Sequence, residues 1–561
     1  MKRLFLLLVL FASLQLSASE RSLNEIQTIA RQRLSHSAAV KKLKGKRAAL
    51  EVQCIAENKA FAVFEPECSG AFVIISKSDL TQPVIGYSES AYQLEQMPPA
   101  MQWFLKSVEQ NIMEAEANGR VLTNKSAAYV PVAPFVTTQW HQSSPFNDLV
   151  PKQYPAGCGA ISLAQCINYC KYPSKVDFRG YYAYLPSSSS TRYTVDSLDI
   201  KSLYLYPFLD NYGRASSAQK KGVATLVRDC GYSEFMLYGP NGSSTVNLYG
   251  AIALVESFQY PEACVKYMQS SFYPKDKWSE LIYSELMKKS PVIMGGHDEK
   301  EGGHAFVLCG IDADGLVYVN WGWGAQSDGF YAIELMNPDG DSYSLYQDII
   351  YGIRSTPLDT DVRRPRWFST DGEPYTFELV MEEDGTGKSR PTLNIAFNAG
   401  LENSTPTTLK GECGLFGQDL TTGEFWQITE TDPVHWGCGA YLELKEPSTM
   451  YYYYLDDDLI PGHTYRISFG TRDEVENEWH SVLCYGGEIA YDVYYTGDIK
   501  TSTISEVMNI TPVDAIHAPL VNNESQPTRL YGYYDLSGRH YDSKPSKSGL
   551  YIKDGQKILI R

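Results

Sequence analysis

The segment from Ala156 to Cys170 reads AGCGAISLAQCINYC and decides how the middle of the chain folds. Its apolar residues recur at helical spacing at Ile161, Ala164 and Ile167. The segment therefore predicts a helix that opens at Cys158. A thiol at a helix N-terminus feels the positive end of the helix dipole, which predicts a lowered pKa and a larger thiolate fraction. Cys158 is thus a candidate nucleophile, although a lone cysteine at such a junction is more often a buried packing residue.

A candidate general base follows in the run GGHAFVLCG, residues 302–310, where a small-residue turn leads into an apolar strand. His304, at the head of that strand, would be held rigidly, as a base should be. The next apolar run, VYVN at 317–320, ends in Asn320, which is suited to accept the imidazole N–H and fix its tautomer. Trp321 would shield that bond from water. A helix-opening cysteine followed by strands that carry His and Asn predicts a thiol–imidazole pair.

Composition and charge restrict the class of protein. The chain has 561 residues, 43% of them apolar and 20% charged, which fits a folded protein of several domains. Its formal net charge of −17, with no basic run, argues against a nucleic-acid partner. The eleven cysteines are odd in number, so at least one thiol stays unpaired in any disulfide scheme within the chain. Cys413, Cys438 and Cys484 allow one disulfide among themselves or none.

The N-terminus has the pattern of an export signal. Lys2 and Arg3 precede an apolar run at 4–16 and small residues at 17–19. We therefore expect a cleaved signal peptide and a secreted or cell-surface protein, with a signal anchor as the alternative. No later stretch reaches the roughly 20 apolar residues that a transmembrane helix needs, so no transmembrane segment is predicted.

The spacing of apolar residues and the frequency of turn residues change along the chain and divide it into segments. Helical patterns at 22–34 and 99–119 enclose strand-like runs at 60–64 and 71–75, and a polar linker follows. Beyond 359, short alternating runs separated by turns predict a β-sandwich. The predicted divisions are a signal peptide at 1–19, an α+β module at 20–125, a mixed module with the candidate site at 126–358, the β-sandwich at 359–500, and a linker with a small β-rich tail at 501–561.

These segments resemble the streptopain family of cysteine peptidases, a bacterial branch of the papain-like fold. The Gly-Cys helix opening, GGHAFV at 302–307, and VNWGWG at 319–324 followed by SDGF carry the resemblance. It extends to QWHQSSPFN at 139–147 and to YGPNGSS at 238–244, which is similar to a loop lining the substrate cleft. One departure is that the stretch between Gln142 and Cys158 is shorter than the family pattern.

The resemblance implies a fold, a function and a set of site residues. The fold is α+β: a papain-like two-subdomain catalytic module, preceded by an α+β propeptide and followed by the sandwich and the tail. Residues 20–125 would be an inhibitory propeptide, and the partners would be protein or peptide substrates, with no cofactor. The implied catalytic residues are Cys158 as nucleophile, His304 as base, Gln142 with the Cys158 N–H as oxyanion donors, and Asn320 and Trp321 as orienting and shielding groups; Gly303, Ser243 and Ser244 would contact the substrate.

The same residues allow other interpretations. The string HDEKEGGH at 297–304 invites a metal site, but it lacks the helical His-Glu-x-x-His spacing, so none is predicted. A non-enzymatic adhesin or inhibitor would show the loss of a catalytic residue, and none is lost. Transglutamination by the same groups stays open. Aromatic residues such as Trp426 and Trp436 fit either a glycan or protein platform or ordinary core positions.

The tail of the chain carries a second resemblance. The runs LYGYYDLSGR at 530–539, KSGLYI at 547–552 and KILIR at 557–561 are similar to C-terminal sorting domains of exported Bacteroidetes proteins. If the tail works in that way, the protein is delivered outside the cell or onto its surface.

Overall fold

The computed structural model describes most of the chain between residues 20 and 560. The described residues are 20–42, 50–67, 70–122, 129–187, 193–204, 208–273, 275–298, 302–336, 346–358, 361, 363, 366–368, 375–383, 385–397, 399–428, 432–442, 450–454, 459–475, 479–484, 487–510, 533–535, 540–541, 549–553 and 556–560. The predicted signal peptide at 1–19, the linker at 124–128 and much of the sorting-type tail lie outside them. Within the described part, no helix combines the length and the apolar character needed to cross a membrane.

The described residues of the N-terminal region form three α-helices and four strands. They are α1 (Leu23–Leu34), α2 (Ala38–Lys42) and α3 (Pro99–Asn118), with β1 (Val52–Glu57), β2 (Phe61–Pro66), β3 (Phe72–Ser76) and β4 (Val84–Ser88). The Ser22 side chain caps α1 by accepting the N–H of Glu25. Helix α3 ends at Gly119, whose φ of 63° suits glycine. The two helices and two strands predicted for this region are confirmed.

The described residues of the middle region add four α-helices and eight strands. They are α4 (Cys158–Cys170), α5 (Ser217–Ser233), α6 (Asn247–Glu256) and α7 (Lys275–Met287), with β5 (Lys175–Pro186), β6 (Tyr193–Leu203), β7 (Lys266–Gln269), β8 (Val292–Asp298), β9 (Gly302–Ile311), β10 (Val317–Asn320), β11 (Gly329–Tyr331) and β12 (Tyr346–Tyr351). The helix predicted to open at Cys158 and the strands predicted to carry His304 and Asn320 are confirmed. Strands β5 and β6 form a separate two-stranded hairpin.

One ten-stranded antiparallel sheet joins the N-terminal and middle regions. Its strand order is β1-β2-β3-β4-β11-β10-β9-β8-β12-β7. Strand β4 pairs with β11, with Ser88 opposite Gly329 and Gly86 opposite Tyr331. A Cβ atom at Gly86 would lie 2.4 Å from the Tyr331 ring, so this pairing depends on the glycine. The sequence suggested a separate module at 20–125, but its four strands extend the sheet of the middle region.

Helices cover both faces of this sheet. Along β9, Phe306 and Leu308 face one core and Ala305 and Val307 face the other, as the alternation of a strand requires. Helices α3 and α7 pack on the first face, whereas α4, α5 and α6 pack on the second. Helix α4 lies directly against β9, so the ends of these two elements bring the candidate nucleophile and base into one neighbourhood.

In its described part, the region from 366 to 510 is built mainly from strands. They are β13 (Arg366–Phe368), β14 (Tyr375–Glu383), β15 (Ser389–Phe397), β16 (Gly400–Glu402), β17 (Leu409–Asp419), β18 (Phe425–Gln427), β19 (Asp432–Trp436), β20 (Tyr441–Leu442), β21 (Met450–Tyr454), β22 (His463–Asp473), β23 (Trp479–Ser481), β24 (Leu483–Cys484), β25 (Gly487–Tyr495) and β26 (Thr503–Ile510). Strands β14, β15 and β21 form a three-stranded sheet, and the others form an eleven-stranded sheet. Strand β26 pairs with β25, so residues that the sequence analysis assigned to a linker belong to this sheet.

A second compact unit begins after residue 517, and its described residues are strands. Its strands are β27 (Tyr533–Asp535), β28 (His540–Tyr541), β29 (Gly549–Lys553) and β30 (Gln556–Ile560), in the order β28-β27-β29-β30. The chain as a whole therefore mixes helices and sheets, in agreement with the coarse fold class. The papain-like two-subdomain layout and the sandwich stay predictions.

Candidate active site

Cys158 is the first residue of α4 and follows a glycine with unusual backbone angles. Gly157 has a φ of 91°, a conformation that residues with a side chain rarely adopt. A Cβ atom at Gly157 would also lie 2.6 Å from the Met236 side chain. The Cys158 thiol is half-buried, and its Sγ accepts a hydrogen bond from the Ala305 N–H at 3.4 Å. The first turn of α4 and strand β9 therefore meet at the sulfur atom.

The pKa of the Cys158 thiol is raised, contrary to the expectation from the sequence. Burial is the largest cause. The backbone N–H groups of Ala305 and Gly159 lower the pKa because they stabilise the thiolate, whereas the Glu234 carboxyl raises it further. The position at a helix terminus is thus outweighed by burial, and a thiolate at this site requires a positively charged partner.

His304 is the candidate for that partner. It is the third residue of β9, directly before Ala305, and it pairs with Gly296 of β8. Its side chain is half-buried. Because the Ala305 N–H reaches the sulfur of Cys158, the backbone next to His304 contacts the candidate nucleophile, and the pairing of the His304 ring with Cys158 stays a prediction.

Gln142 is hydrogen-bonded to the two residues directly before the nucleophile. Its Oε1 accepts the N–H of Gly157 at 3.2 Å, and its backbone carbonyl accepts the N–H of Ala156 at 2.9 Å. With the side-chain oxygen engaged in this way, the Nε2 end of the amide is the end available as a donor. The side chain is therefore anchored to the residue before Cys158, and its role as an oxyanion donor stays a prediction.

Asn320 lies at the end of β10 and is 2% exposed. Its Nδ2 donates to the Thr138 carbonyl at 2.7 Å, and its Oδ1 accepts the N–H of Gly322 at 3.0 Å. These bonds fix the amide rigidly, and Oδ1 has a second lone pair that can accept another donor. The expected bond between Asn320 and the His304 ring stays a prediction.

Trp321 is buried among aromatic side chains. Its indole Nε1 donates to the Ser327 carbonyl at 3.0 Å, and its backbone N–H donates to the Asp328 carboxyl at 2.9 Å. The indole ring packs against Phe306, with centroids 4.9 Å apart, and against Tyr331 at 5.3 Å. Burial raises the pKa of Asp328 to about 7. The role of Trp321 as a shield for the His304–Asn320 bond also stays a prediction.

The predicted substrate loop is tied to the segment before the nucleophile. Ser243 Oγ donates to the Pro155 carbonyl at 2.6 Å and accepts the N–H of Gly239 at 3.3 Å, so this hydroxyl holds the loop in place. Ser244 is exposed, and its backbone N–H and carbonyl both bond with Leu237. Gly303, next to His304, is exposed as well.

Two residues near the site escaped the sequence analysis. Thr138 supplies the carbonyl that holds Asn320, and its own hydroxyl donates to Gln165 at 2.7 Å. Glu234 is 1% exposed, and a Cβ atom on Gly159 would lie 3.0 Å from its Oε2. Burial raises the pKa of Glu234 to about 8. A glutamate just after a helix looks like a surface residue in sequence, so no local signal marks it.

The described cysteines and the described part of the string at 297–304 give no further site. No disulfide joins the cysteines whose side chains are described, Cys438 among them. No group of three or more His, Cys, Asp or Glu is arranged to hold a metal ion within the described residues. The side chain of His297 and residues 299–301 lie outside the described part.

Comparison with known proteins identifies the family. The model of the peptidase C10 family matches residues 140–331, which contain every candidate site residue, and the model of the Spi protease inhibitor matches residues 18–112. A solved fragment of prointerpain A from Prevotella intermedia is 33% identical, and the comparison covers 55% of this chain and 100% of that one with a TM-score of 0.50. The chain belongs to the peptidase C10 family.

Curated relatives of this C10 family member include a protein named as a thiol protease. The thiol protease/hemagglutinin PrtT of Porphyromonas gingivalis is 29% identical over 327 residues, which are 53% of this chain and 37% of that protein. Streptopain of Streptococcus pyogenes is 28% identical over 317 residues, which are 51% of this chain and 79% of streptopain. The match thus spans little more than a third of the Porphyromonas relative.

In this C10 family member, the region matched by the inhibitor model packs against the candidate site. Trp103 of α3 lies over Gly296, the residue that pairs with His304; a Cβ atom at Gly296 would lie 2.2 Å from the Trp103 ring. The neighbouring Phe104 packs on Trp321, with ring centroids 6.1 Å apart. Helix α3 therefore covers the sheet directly behind the strands that carry the candidate base and its predicted orienting group.

Proposed function

We propose that the chain is a secreted cysteine endopeptidase that is made as a zymogen. Its active form hydrolyses peptide bonds of protein or peptide substrates through Cys158 and His304, without a cofactor. One observation carries the proposal: the Cys158 sulfur contacts the backbone N–H of Ala305, the residue next to His304. The name of the Porphyromonas relative, a thiol protease, supports the same chemistry.

The first step is formation of a thiolate–imidazolium pair. Burial holds the pKa of Cys158 above its ordinary value, so an isolated thiol here would stay protonated at neutral pH. Transfer of its proton to His304 creates two opposite charges that stabilise each other. The N–H groups of Ala305 and Gly159 further stabilise the thiolate.

The thiolate then attacks the carbonyl carbon of the scissile bond. The Nε2 of Gln142 and the backbone N–H of Cys158 donate to the oxyanion, each worth about 3 kcal/mol in comparable sites. His304 returns its proton to the leaving amine, and water hydrolyses the thioester. Asn320 and Trp321 position His304 in this scheme, while Gly303, Ser244 and the backbone of Ser243 contact the substrate.

Residues 20–125 act as an inhibitory propeptide in this proposal. The match to the protease inhibitor model and the four strands that extend the sheet support this role. Alternation along β9 puts His304 on the same face as Phe306, which is the face that α3 covers. Release of residues up to about Lys125 would uncover this face and allow the base to work with Cys158.

The remaining regions serve export and support. Residues 1–19 are a signal peptide, 126–358 a papain-like two-subdomain module, and 359–500 a β-sandwich accessory domain. Residues 501–561 contain a sorting-type tail that directs the enzyme out of the cell or onto its surface. The short apolar run after Lys2 and Arg3 supports the export signal.

The proposal is tested by assaying casein hydrolysis by the activated protein with and without a thiol alkylator, beside Cys158→Ala. Alkylation of the wild type and the Cys158→Ala substitution should each abolish casein hydrolysis. Cys170, a half-buried free thiol at the end of α4 that stays in the activated enzyme, provides the control: Cys170→Ala should stay active and alkylator-sensitive. Equal activity of the wild type and Cys158→Ala would falsify the proposal. N-terminal sequencing of the active form then locates the propeptide boundary.

A further inference from the structure

A line of paired residues leads from the substrate loop to an exposed hairpin. Ser244 pairs with Leu237, and Leu237 pairs with Tyr184 of β5. Tyr184 pairs in turn with Val195 of β6. Directly opposed residues on neighbouring strands point to the same face, so these side chains form one row. At the usual spacing of strands, the row is about 14 Å long.

The surface along this row is apolar and exposed. On the hairpin, Tyr193 and Val195 are each 59% exposed. On the side of the substrate loop, Val246 is 53% and Tyr249 is 40% exposed. Burial is what normally selects large apolar side chains, so the folding of this region does not explain why these four are exposed.

Phe235 joins the two ends of this surface. Its ring contacts Tyr182 at 4.9 Å and Tyr249 at 5.3 Å between centroids. Its φ of 55° is unfavourable for a residue with a side chain, and such strain is commonly kept at functional positions. We define the aromatic surface as Tyr182, Tyr184, Tyr193, Val195, Phe235 and Tyr249.

The aromatic surface is attached rigidly to the nucleophile loop. The N–H of Tyr184 donates to the Met236 carbonyl at 2.9 Å, and the Tyr238 N–H donates back to Tyr184 at 2.9 Å. The side chain of Met236 packs against Gly157, directly before Cys158. A ligand held on this surface is therefore held at a fixed position relative to the sulfur.

We propose that the aromatic surface is an extended subsite that binds apolar or aromatic side chains of a polypeptide substrate, several residues from the bond that is cut. This inference rests on the proposed peptidase function. The continuity with the substrate loop favours a polypeptide occupant, because an extended chain covers about 14 Å with four residues. The uncharged character of the row favours apolar side chains; on the face of β6 that carries Val195, charged residues begin beyond the row, at Asp199 and Lys201.

The test compares a long substrate with a short one. Tyr184→Ala and Val195→Ala, singly and combined, are assayed on a dipeptidyl coumarin amide, which is too short to reach the surface. They are also assayed on a decapeptide with the same cleavage residues and phenylalanines toward either end. We expect the double variant to lower kcat/KM on the decapeptide roughly three- to tenfold, mainly through KM, and to leave the short amide unchanged.

The chain offers a matched control. Leu203 lies on the same strand and the same face as Val195 and is 64% exposed, but it lies beyond the charged residues of β6. Leu203→Ala should leave both substrates unaffected.

Three results would overturn the subsite. They are an equal loss on both substrates, no loss on either, and an equal loss on a decapeptide whose phenylalanines are replaced by serine. A wild-type enzyme that cleaves neither substrate would instead contradict the proposed function, and with it the subsite.

Discussion

The orientation of one amide decides how the proposed site can stabilise negative charge. Because Oε1 of Gln142 accepts the Gly157 N–H at 3.2 Å, its Nε2 is the donor left for the oxyanion. We predict that Gln142→Ala lowers kcat about 10²- to 10³-fold with a small change in KM, measured by steady-state hydrolysis of a coumarin amide by the activated enzyme. Gln139, three residues earlier and exposed, is the control; a similar loss in Gln139→Ala would point to a folding defect instead.

Glu234 should make stability depend on pH. Burial raises its pKa to about 8, whereas the ordinary value of 4.5 applies in the unfolded chain. Between these values the folded state keeps the proton and the unfolded state loses it. The contribution of Glu234 to stability is therefore full below about pH 4.5 and is lost as the pH rises to about 8.

We predict that Glu234→Gln reduces the fall in Tm between pH 5 and pH 8 by several degrees, because the amide does not ionise. Differential scanning calorimetry in a Cys158→Ala background avoids self-digestion. Glu256→Gln, at an exposed position of α6, should keep the wild-type pH dependence. A variant at Glu234 whose Tm follows the wild-type curve would show that this carboxyl is not held neutral.

The sequence reveals those residues whose roles can be predicted from their immediate neighbours in the chain. Cys158 and His304 stand in glycine-flanked motifs at the start of a helix and a strand, so both could be found. Thr138 and Glu234 could not, because each meets the site through contacts that only the folded chain creates. The same reason explains the error on the Cys158 pKa: the helix start is local, but the burial that outweighs it is not.

At the scale of elements, helix ends follow local rules and sheet neighbours do not. Ser22 and Gly119 mark a helix start and a helix end because capping needs only nearby atoms. The pairing of β4 with β11 joins Ser88 to Gly329, which lie far apart in sequence. Sequence periodicity does not predict which distant strand will pair with β4. The sequence therefore predicted the N-terminal strands as a separate module.

The packing of α3 on β8 provides an element-scale prediction. A Cβ atom at Gly296 would lie 2.2 Å from the Trp103 ring, so Gly296→Ala must displace α3 and should cost about 1–3 kcal/mol of stability. In a Trp103→Ala background the clash disappears, and the cost of Gly296→Ala should become small. Urea unfolding of the four chains, all carrying Cys158→Ala, measures the coupling.

Gly385 is the control for this cycle, because nothing lies within 4 Å of a Cβ atom built there. Gly385→Ala should be nearly neutral in both backgrounds. Additive effects of Trp103→Ala and Gly296→Ala would mean that α3 does not rest on β8 in solution.

At the scale of the whole molecule, the two sheets formed by residues 366–510 contact the region at 126–358. We call them the C-terminal sheets and the peptidase-like region. The N–H of Tyr267 donates to the Ser404 carbonyl at 2.8 Å. A Cβ atom at Gly439 would lie 3.5 Å from Leu248 of α6, the helix that follows the substrate loop. The sequence shows a change to short alternating runs near residue 359. Surface complementarity between distant segments, however, leaves no pattern in a single sequence.

One arginine connects the two regions and gives the last prediction. Arg363 is bonded to Glu262 of the peptidase-like region, 3.0 Å away, and to Asp473 at the end of β22. Arg363→Ala leaves the half-buried Asp473 without this partner, which should cost about 1–3 kcal/mol, between the values for an exposed and a fully buried ion pair. Calorimetry of the Cys158→Ala chain should show one joint transition for both regions, and Arg363→Ala should lower the Tm of the C-terminal sheets and separate the two.

Arg466, whose partner Asp492 lies on the next strand of the same sheet, distinguishes docking from the stability of the sheet itself. Arg466→Ala removes an ion pair without touching the peptidase-like region, so it should weaken the sheet slightly and leave the number of transitions unchanged. If Arg363→Ala and Arg466→Ala gave the same thermograms, the bridge to Glu262 would have no part in coupling. Separation in Arg363→Ala alone would establish that the C-terminal sheets and the peptidase-like region unfold together because this contact holds them.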